Sequence, residues 1–353
     1  MNVGVAGAGA IAMGYAALLL GRGHAVGIWS PSGHRTAPLL QGTPLTVTGA
    51  IEGAFSPDVC KDAVELACNE VIVLALPAFG QRFVIDALVP HIEARHTVIL
   101  SAHLSFAGLY LAKRLAERGL RIPIAVWNTT ALTCKALSFT EVRIGALRSQ
   151  VDVAVVPVEK SDYGRDLCAD LFGERFVLKD DMLTVALSNL NPQSHLAIAL
   201  CNLTRFEIGE AWGQRANVTP NVGRLIEALD RERLAIATAF GKAVSTVFDH
   251  YQHSFGVSGA TVAEMSSLLV ARGSEIQGPK TISSRYVLED VPFGLVPMLS
   301  LADMVSSNVP LHRSGVEILS ACYGRNFTAD NDLFPDLGIH NADQLRRVVA
   351  HGY

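Results

Sequence analysis

Two stretches of the chain hold residue types that could move a proton or hold an anion. His195 and Asn202 stand seven residues apart within Ser188–Asn202, the polar exception inside an apolar helical stretch, so they share one helix face. Neither suits an apolar core without a partner. Asn191-Pro192 either opens a helix, with proline in its first turn, or kinks a longer one. A histidine near a helix start feels the positive end of the dipole, which disfavours imidazolium. A carboxylate partner would restore its basicity and fix its tautomer. Much later, the segment from Ser283 to Pro297 packs Arg285, Glu289 and Asp290 into six positions and then runs into Pro292, Gly294 and Pro297. Charges beside a stiff, mostly apolar segment need partners, because an unpaired buried charge is costly. The segment reads either as a cleft wall or as a helix end carrying a structural ion pair. Asp290 is a candidate partner for His195, beside the plainer reading of His195 as a satisfied core histidine.

The elements that must position these residues follow from hydrophobic patterning. Asn2–Ala6 reads as a short buried strand, Tyr15–Arg22 as a helix ending at Gly23, and Ala25–Trp29 as a second strand. The run Gly7-Ala-Gly9-Ala10-Ile11-Ala12 therefore lies between a strand and a helix of one β-α-β unit, which is the context that gives a glycine motif its meaning. Gly7 permits the tight turn, Gly9 lets a pyrophosphate approach the backbone, and Ala12 lets helix and strand pack closely. The free N–H groups that open the helix, from Ala10 and Ile11 onward, face the phosphates. Val71–Leu76 is a further buried strand ending at Pro77, and Leu76 and Pro77 border the nicotinamide side of such a fold.

The end of the second strand selects the cofactor. NAD sites usually place a carboxylate there for the ribose hydroxyls. This chain has Trp29-Ser-Pro-Ser-Gly-His-Arg35 instead. Ser30, Ser32 and Arg35 are donors, and Arg35 is a fixed cation, which suits a 2′-phosphate. The expected cofactor is NADP(H), with NAD as the alternative.

Alternating strands and helices continue through Trp127. Lys135–Ala146 and Val151–Val158 then read as a hairpin-like addition, an added mixed edge of the sheet. After about Lys179 the strand signal stops. Met182–Gly209, Arg224–His250 and Thr261–Arg272 carry helical periodicity. Residues from Arg325 onward are polar and turn-rich, with Asn341 able to cap a short terminal helix. The expected fold is α/β: an N-terminal Rossmann-type doubly wound sheet over residues 1–180 and an all-α C-terminal domain over 181–353. Bulk properties agree. The 353 residues are 50% hydrophobic and 18% charged, with a net charge of −4 and no long charged run. Such a chain is not built to bind nucleic acid or a membrane surface through its charge. The glycines at 4, 7, 9 and 14 argue against a membrane helix at the N-terminus, and no secretory signal is recognisable there. Six scattered cysteines, none in a C-x-x-C pair or at zinc-ligand spacing, suit a reducing cytoplasm. No metal site is expected.

The combination resembles the opine dehydrogenase family, the octopine and nopaline dehydrogenases and their relatives. The glycine motif is common to many dehydrogenases. Arg285-Tyr286-x-x-Glu289-Asp290-Val-Pro292-Phe-Gly294 is far more specific, as is Asn191-x-x-x-His195 with Asn202 at helical spacing. Leu229–Ala237 also resembles the family's long helix. Leu196 departs from the pattern, since the family often has proline directly after the histidine. The resemblance implies condensation of an amino acid or amine with a 2-oxo acid, followed by reduction of the imine to a secondary amine. It implies His195 as acid/base, Asp290 as its orienting carboxylate, and Arg285 and Asn202 at the substrate. Two alternatives stand beside it. One is a 2-oxo-acid or ketopantoate-type reductase, which would want a catalytic lysine, with Lys242 and Lys280 the candidates. The other is an NADP-binding sensor without turnover. The oligomeric state is open, a homodimer included.

Overall fold

The computed structural model describes all residues, Met1 to Tyr353. Its twelve strands are β1 (Asn2–Ala6), β2 (Ala25–Trp29), β3 (Leu45–Gly49), β4 (Gly53–Phe55), β5 (Asp58–Val59), β6 (Val71–Leu74), β7 (Thr97–Leu100), β8 (Ile124–Trp127), β9 (Leu132–Ala136), β10 (Glu141–Leu147), β11 (Val151–Val156) and β12 (Phe176–Leu178). The chain divides into two compact units. The first holds 1–186, 333–339 and 343–353; the second holds 187–332 and 340–342.

In the first unit eight strands form one sheet in the order β12-β11-β8-β7-β6-β1-β2-β5. The six from β8 to β5 are parallel throughout. Strands β6, β7 and β8 are buried along their whole length, which is why they read as nearly continuous apolar runs, with Thr97 the polar exception. The strand order reverses direction between β1 and β6, the switch point outside which open α/β sheets bind ligands. The helix Ala10–Gly21 follows β1 and is apolar nearly all round, with Ala12 to Leu19 buried. It needs cover on more than one side. One cover is the main sheet. The other is a second, four-stranded sheet in the order β4-β3-β10-β9, against which Gly14 leaves only enough room for the Leu132 side chain.

That second sheet corrects the expected mixed edge. Only β11 joins the main sheet antiparallel, to β8, and β12 follows it. Strands β9 and β10 instead pair with β3 and β4, and β3 lies parallel to β10. Local patterning reads the β9–β10 hairpin and, in Pro44–Ile51, a strand element, but not their pairing across roughly ninety residues of chain.

The second unit is helical. Its main helices are Asn191–Glu207, Pro220–Ala239, Val247–Phe255, Val262–Ala271, Val296–Met304 and Pro310–Tyr323. Two expected helices are each broken in two. The 182–209 stretch stops at Leu187 and restarts at Asn191, where Pro192 sits in the first turn and Asn189 Oδ1 accepts from the Asn191 N–H at 3.0 Å. The proline therefore opens a helix, and the bend lies further on, at Asn202 (φ −135°, ψ 17°). The 224–250 stretch starts earlier, at Pro220, and ends at Ala239 before a separate helix from Val247. Asp230 and Arg233 explain that break. Arg233 is fully buried and donates to Asp230 Oδ1 at 2.6 Å, to the Ser245 carbonyl at 2.6 Å and to the Leu187 carbonyl, while Asp230 Oδ2 accepts the Val247 N–H at 2.9 Å. A buried pair this fully bonded pins both chain breaks to one helix. The terminal helix forms as Ala342–His351, but residues 343–353 cluster with the first unit rather than with the helical one.

Candidate active site

The candidate cofactor-binding residues lie at the carboxyl ends of β1, β2 and β6, in the first unit. Gly7 has φ +126°, and a Cβ there would lie 2.3 Å from the Ala75 carbonyl oxygen just past β6, so no side chain fits between the two strand ends. Gly9 is the residue before the helix, in extended conformation, and a Cβ on it would meet nothing within 4 Å. No side chain caps this helix and no acidic residue sits in its first turn. Its opening N–H groups, through Ala10, Ile11 and Ala12, thus lie behind open space and suit an anion. Past β2, Ser30 is partly exposed, and Ser32 and Arg35 are exposed. Arg35 makes no ion pair; its guanidinium lies 5.8 Å from the Phe139 ring centre. Leu76 and Pro77 follow β6, with Pro77 immediately before the helix Ala78–Leu88. These residues fit a dinucleotide, and the donor set beyond β2 fits a phosphate better than a ribose diol.

The candidate acid/base residues lie in the second unit. His195 is in the second turn of its helix, and Nδ1 lies 2.6 Å from Asp290 Oδ2. Asp290 is 1% exposed and the His195 side chain 11% exposed. An ionised carboxylate only accepts, so the proton of this bond sits on Nδ1 and donates to Asp290. Nε2 makes no hydrogen bond and is the nitrogen left for chemistry. Asp290 is held by the segment that follows it. Val291–Leu295 winds as a single π turn carrying Pro292, and Asn331 Nδ2 donates to the Pro292 carbonyl at 2.7 Å. Proline cannot supply the N–H that a tighter turn would use, and Asn331 steadies the widened one. Pro297 then sits in the first turn of the next helix.

Other expected residues fall as follows. Arg285 opens the short helix Arg285–Leu288, is exposed and forms no ion pair. Asn202 is buried, and its amide donates to the Ile198 carbonyl at 3.0 Å. That nitrogen is spent on the helix bend, and only Oδ1 is without a partner. Leu196 is buried in the helical core, where a Cβ on Gly315 would meet its side chain at 2.6 Å. A leucine after the histidine is thus accommodated by a glycine on the facing helix.

Three features escaped sequence reasoning. The Tyr286 ring stacks on the His195 ring, with centres 3.5 Å apart and planes 9° from parallel. Its hydroxyl donates to Gln214 Oε1 at 2.5 Å. Burial raises the Tyr286 pKa, so the hydroxyl stays a donor. The third is a second histidine–carboxylate pair, His312 Nδ1 to Glu232 Oε2 at 2.7 Å. Burial pushes the Glu232 pKa up, but bonds from His312 and the Leu311 and His312 N–H groups outweigh it and leave the carboxyl below its usual range. Glu232 thereby caps the helix Pro310–Tyr323. Only the motif Leu229–Ala237 hinted at it, by spacing Asp230, Glu232 and Arg233 along one helix.

The family described as NAD/NADP octopine/nopaline dehydrogenase, alpha-helical domain, matches residues 178–323. An opine dehydrogenase of Arthrobacter sp. (strain 1C) is 27% identical over 331 residues, covering 92% of this chain and 91% of its own. An octopine dehydrogenase solved with NADH and L-arginine superposes with a TM-score of 0.82 at 15% identity, covering 99% of this chain and 98% of that one. A yersinopine dehydrogenase with NADP+ bound gives 0.74 at 14% identity, covering 99% and 98%.

Proposed function

We propose that this chain, which matches the octopine/nopaline dehydrogenase helical-domain family over residues 178–323, is an NAD(P)H-dependent oxidoreductase of the opine dehydrogenase kind, acting on CH–NH groups. It joins the amine of an amino acid, or a simple amine, to a 2-oxo acid and reduces the imine to a secondary amine; the reverse reaction oxidises the opine. The observation that carries this reading is the His195–Asp290 pair with Nε2 unbonded. Condensation needs proton transfers near neutral pH, and such a pair supplies them. Protonated Nε2 polarises the oxo group and gives its proton to that oxygen as the amine nitrogen attacks the carbon. The neutral form then takes the proton that the attacking nitrogen sheds, and a returned proton lets the former carbonyl oxygen leave as water. Asp290 stabilises the imidazolium in each cycle and holds the ring in the Nδ1–H tautomer. Arg285, exposed and without an acidic partner, suits the 2-oxo acid carboxylate, and Asn202 Oδ1 is the part of that residue open to substrate. When bound, the nicotinamide cofactor supplies the hydride that reduces the imine carbon.

The preference for NADP(H) rests on Ser30, Ser32 and Arg35, with no carboxylate at the end of β2. Six free cysteines, none in a disulfide, support a reducing compartment, the cytoplasm. No helix is long and apolar enough to cross a membrane. Assembly as a homodimer is a matter for sedimentation.

The test is a cofactor-oxidation screen in which pyruvate and 2-oxoglutarate are each paired with amino acids and amines, using NADPH and NADH. Oxidation is expected only when both partners are present, faster with NADPH, and absent with ketones lacking the carboxylate. His195→Asn should lower kcat by at least about a hundredfold while binding NADPH as wild type does. Oxidation with an oxo acid alone would favour a simple reductase, and normal turnover by His195→Asn would remove the acid/base role.

A further inference from the structure

We propose that Tyr286, anchored by Gln214, is the positioning residue that sets the plane of the His195 ring and so the direction of Nε2. The proposal builds on the acid/base reading of His195. One hydrogen bond cannot orient an imidazole. The Nδ1–Oδ2 contact of 2.6 Å fixes where one ring atom lies, yet the ring can still swing about that contact or turn away from it. A flat surface at van der Waals distance removes the swing. Tyr286 supplies it, parallel to within 9° and with ring centres 3.5 Å apart. Edge-on contacts are as favourable as parallel ones in an unconstrained aromatic pair, so the parallel stack is set by the elements that carry the two rings.

The phenol is itself held at its far end and on its edge. Its hydroxyl bonds Gln214 Oε1, and Phe206 meets the ring edge-on at 6.5 Å between centres. Gln214 belongs to a rigid loop. Its N–H donates to the Ile276 carbonyl at 2.8 Å, and Gly213 pairs with Gln277. The Glu275 carboxylate accepts from the Arg215 N–H at 2.8 Å and the Ala216 N–H at 3.0 Å. The order of support therefore runs from this loop to Gln214, to Tyr286, to the plane of His195. Tyr286 is four residues before Asp290, so one short segment delivers both the carboxylate that holds Nδ1 and the ring that holds the plane. A parallel aromatic face also favours the positive charge that the imidazole carries in each cycle.

The test reads the ring directly. In protein labelled with 15N-histidine, the His195 signals are those missing from His195→Asn. Wild type should show a single Nδ1–H tautomer. Tyr286→Leu should show averaged nitrogen shifts, with kcat down roughly tenfold or more and the 2-oxo acid KM within about threefold. Tyr286→Phe keeps the stack but loses the bond to Gln214, so it should fall between wild type and Tyr286→Leu in both tautomer averaging and kcat, and Gln214→Leu should resemble it. A wild-type far-UV circular dichroism spectrum and urea midpoint check that each variant is folded. The proposal is overturned if Tyr286→Leu keeps both the single tautomer and wild-type kcat, or if Tyr286→Phe is as damaged as Tyr286→Leu. The nitrogen spectra need no turnover. A chain that condenses no amine with any oxo acid would sink the functional reading and leave this test standing.

Discussion

His103 is 1% exposed, and neither of its ring nitrogens has a hydrogen-bond partner. It sits just past β7 in a segment where Ala102, Ser105 and Phe106 all have positive φ (63°, 49° and 55°). Residues so strained persist only where the surroundings over-determine them. Burial alone drives the His103 pKa down from 6.5 to about 3, so the folded protein keeps the ring neutral. Between pH 6.5 and about 3 the unfolded chain binds a proton at this site and the folded one does not. Stability is therefore lost as pH falls through that window, by about 1.4 kcal/mol per unit at this one residue. His103→Leu should lose about 2 kcal/mol less than wild type between pH 6.5 and pH 5, read from urea midpoints at the two pH values. Equal losses would mean that the ring is reached by water or a proton donor. Legibility at this scale depends on residue type. Histidine and carboxylate announce themselves, so His195 and Asp290 stood out, although their 2.6 Å contact needed the fold. An aromatic ring is the default core residue, so nothing in the sequence marked Tyr286 as the surface against which His195 lies.

At the scale of elements, the β1–helix junction separates two jobs for glycine. Gly7 is a steric requirement of the fold: positive φ, and a carbonyl oxygen 2.3 Å from where a Cβ would be. Gly9 has φ −81° and open space around its missing side chain, so the fold does not need it. Gly7→Ala should cost at least about 2 kcal/mol of stability. Gly9→Ala should unfold within about 0.5 kcal/mol of wild type, yet bind NADPH at least roughly tenfold more weakly, because the new methyl stands where the phosphates approach. Fluorescence titration of NADPH alongside urea unfolding separates the two outcomes, and wild-type NADPH affinity in Gly9→Ala would refute the cradle. This junction was readable because strand, turn and helix are contiguous. The π turn at Val291–Leu295 was not, since its geometry is completed by Asn331, 39 residues from Pro292. The second sheet failed for the same reason: parallel pairing of β3 with β10 leaves no local trace.

At the scale of the molecule, the order of the chain and the order of its cores differ. Composition placed a boundary near residue 180, where strand signal gives way to helical signal. Nothing in a polar, turn-rich ending says which core it serves. The structure returns residues 343–353 to the first unit, where Leu345, Val348 and Val349 are buried. Arg121 donates to the Tyr353 carbonyl oxygen at 2.7 Å, and the Tyr353 hydroxyl donates to the Leu337 carbonyl at 2.7 Å. Three buried aliphatic side chains at about 1.5 kcal/mol or more each amount to about 5 kcal/mol, as much as the whole stability of a marginal domain. Removing residues after Asn341 should therefore loosen the sheet unit, although the deleted segment follows the helical one in sequence. Hydrogen exchange followed by mass spectrometry locates the effect. Amides of the helix Ala107–Ala116 and of β8 should lose protection, while those of Pro220–Ala239 keep theirs, and NADPH affinity should fall with them. Loss confined to the helical unit would show that the terminal helix serves the core that precedes it in the chain.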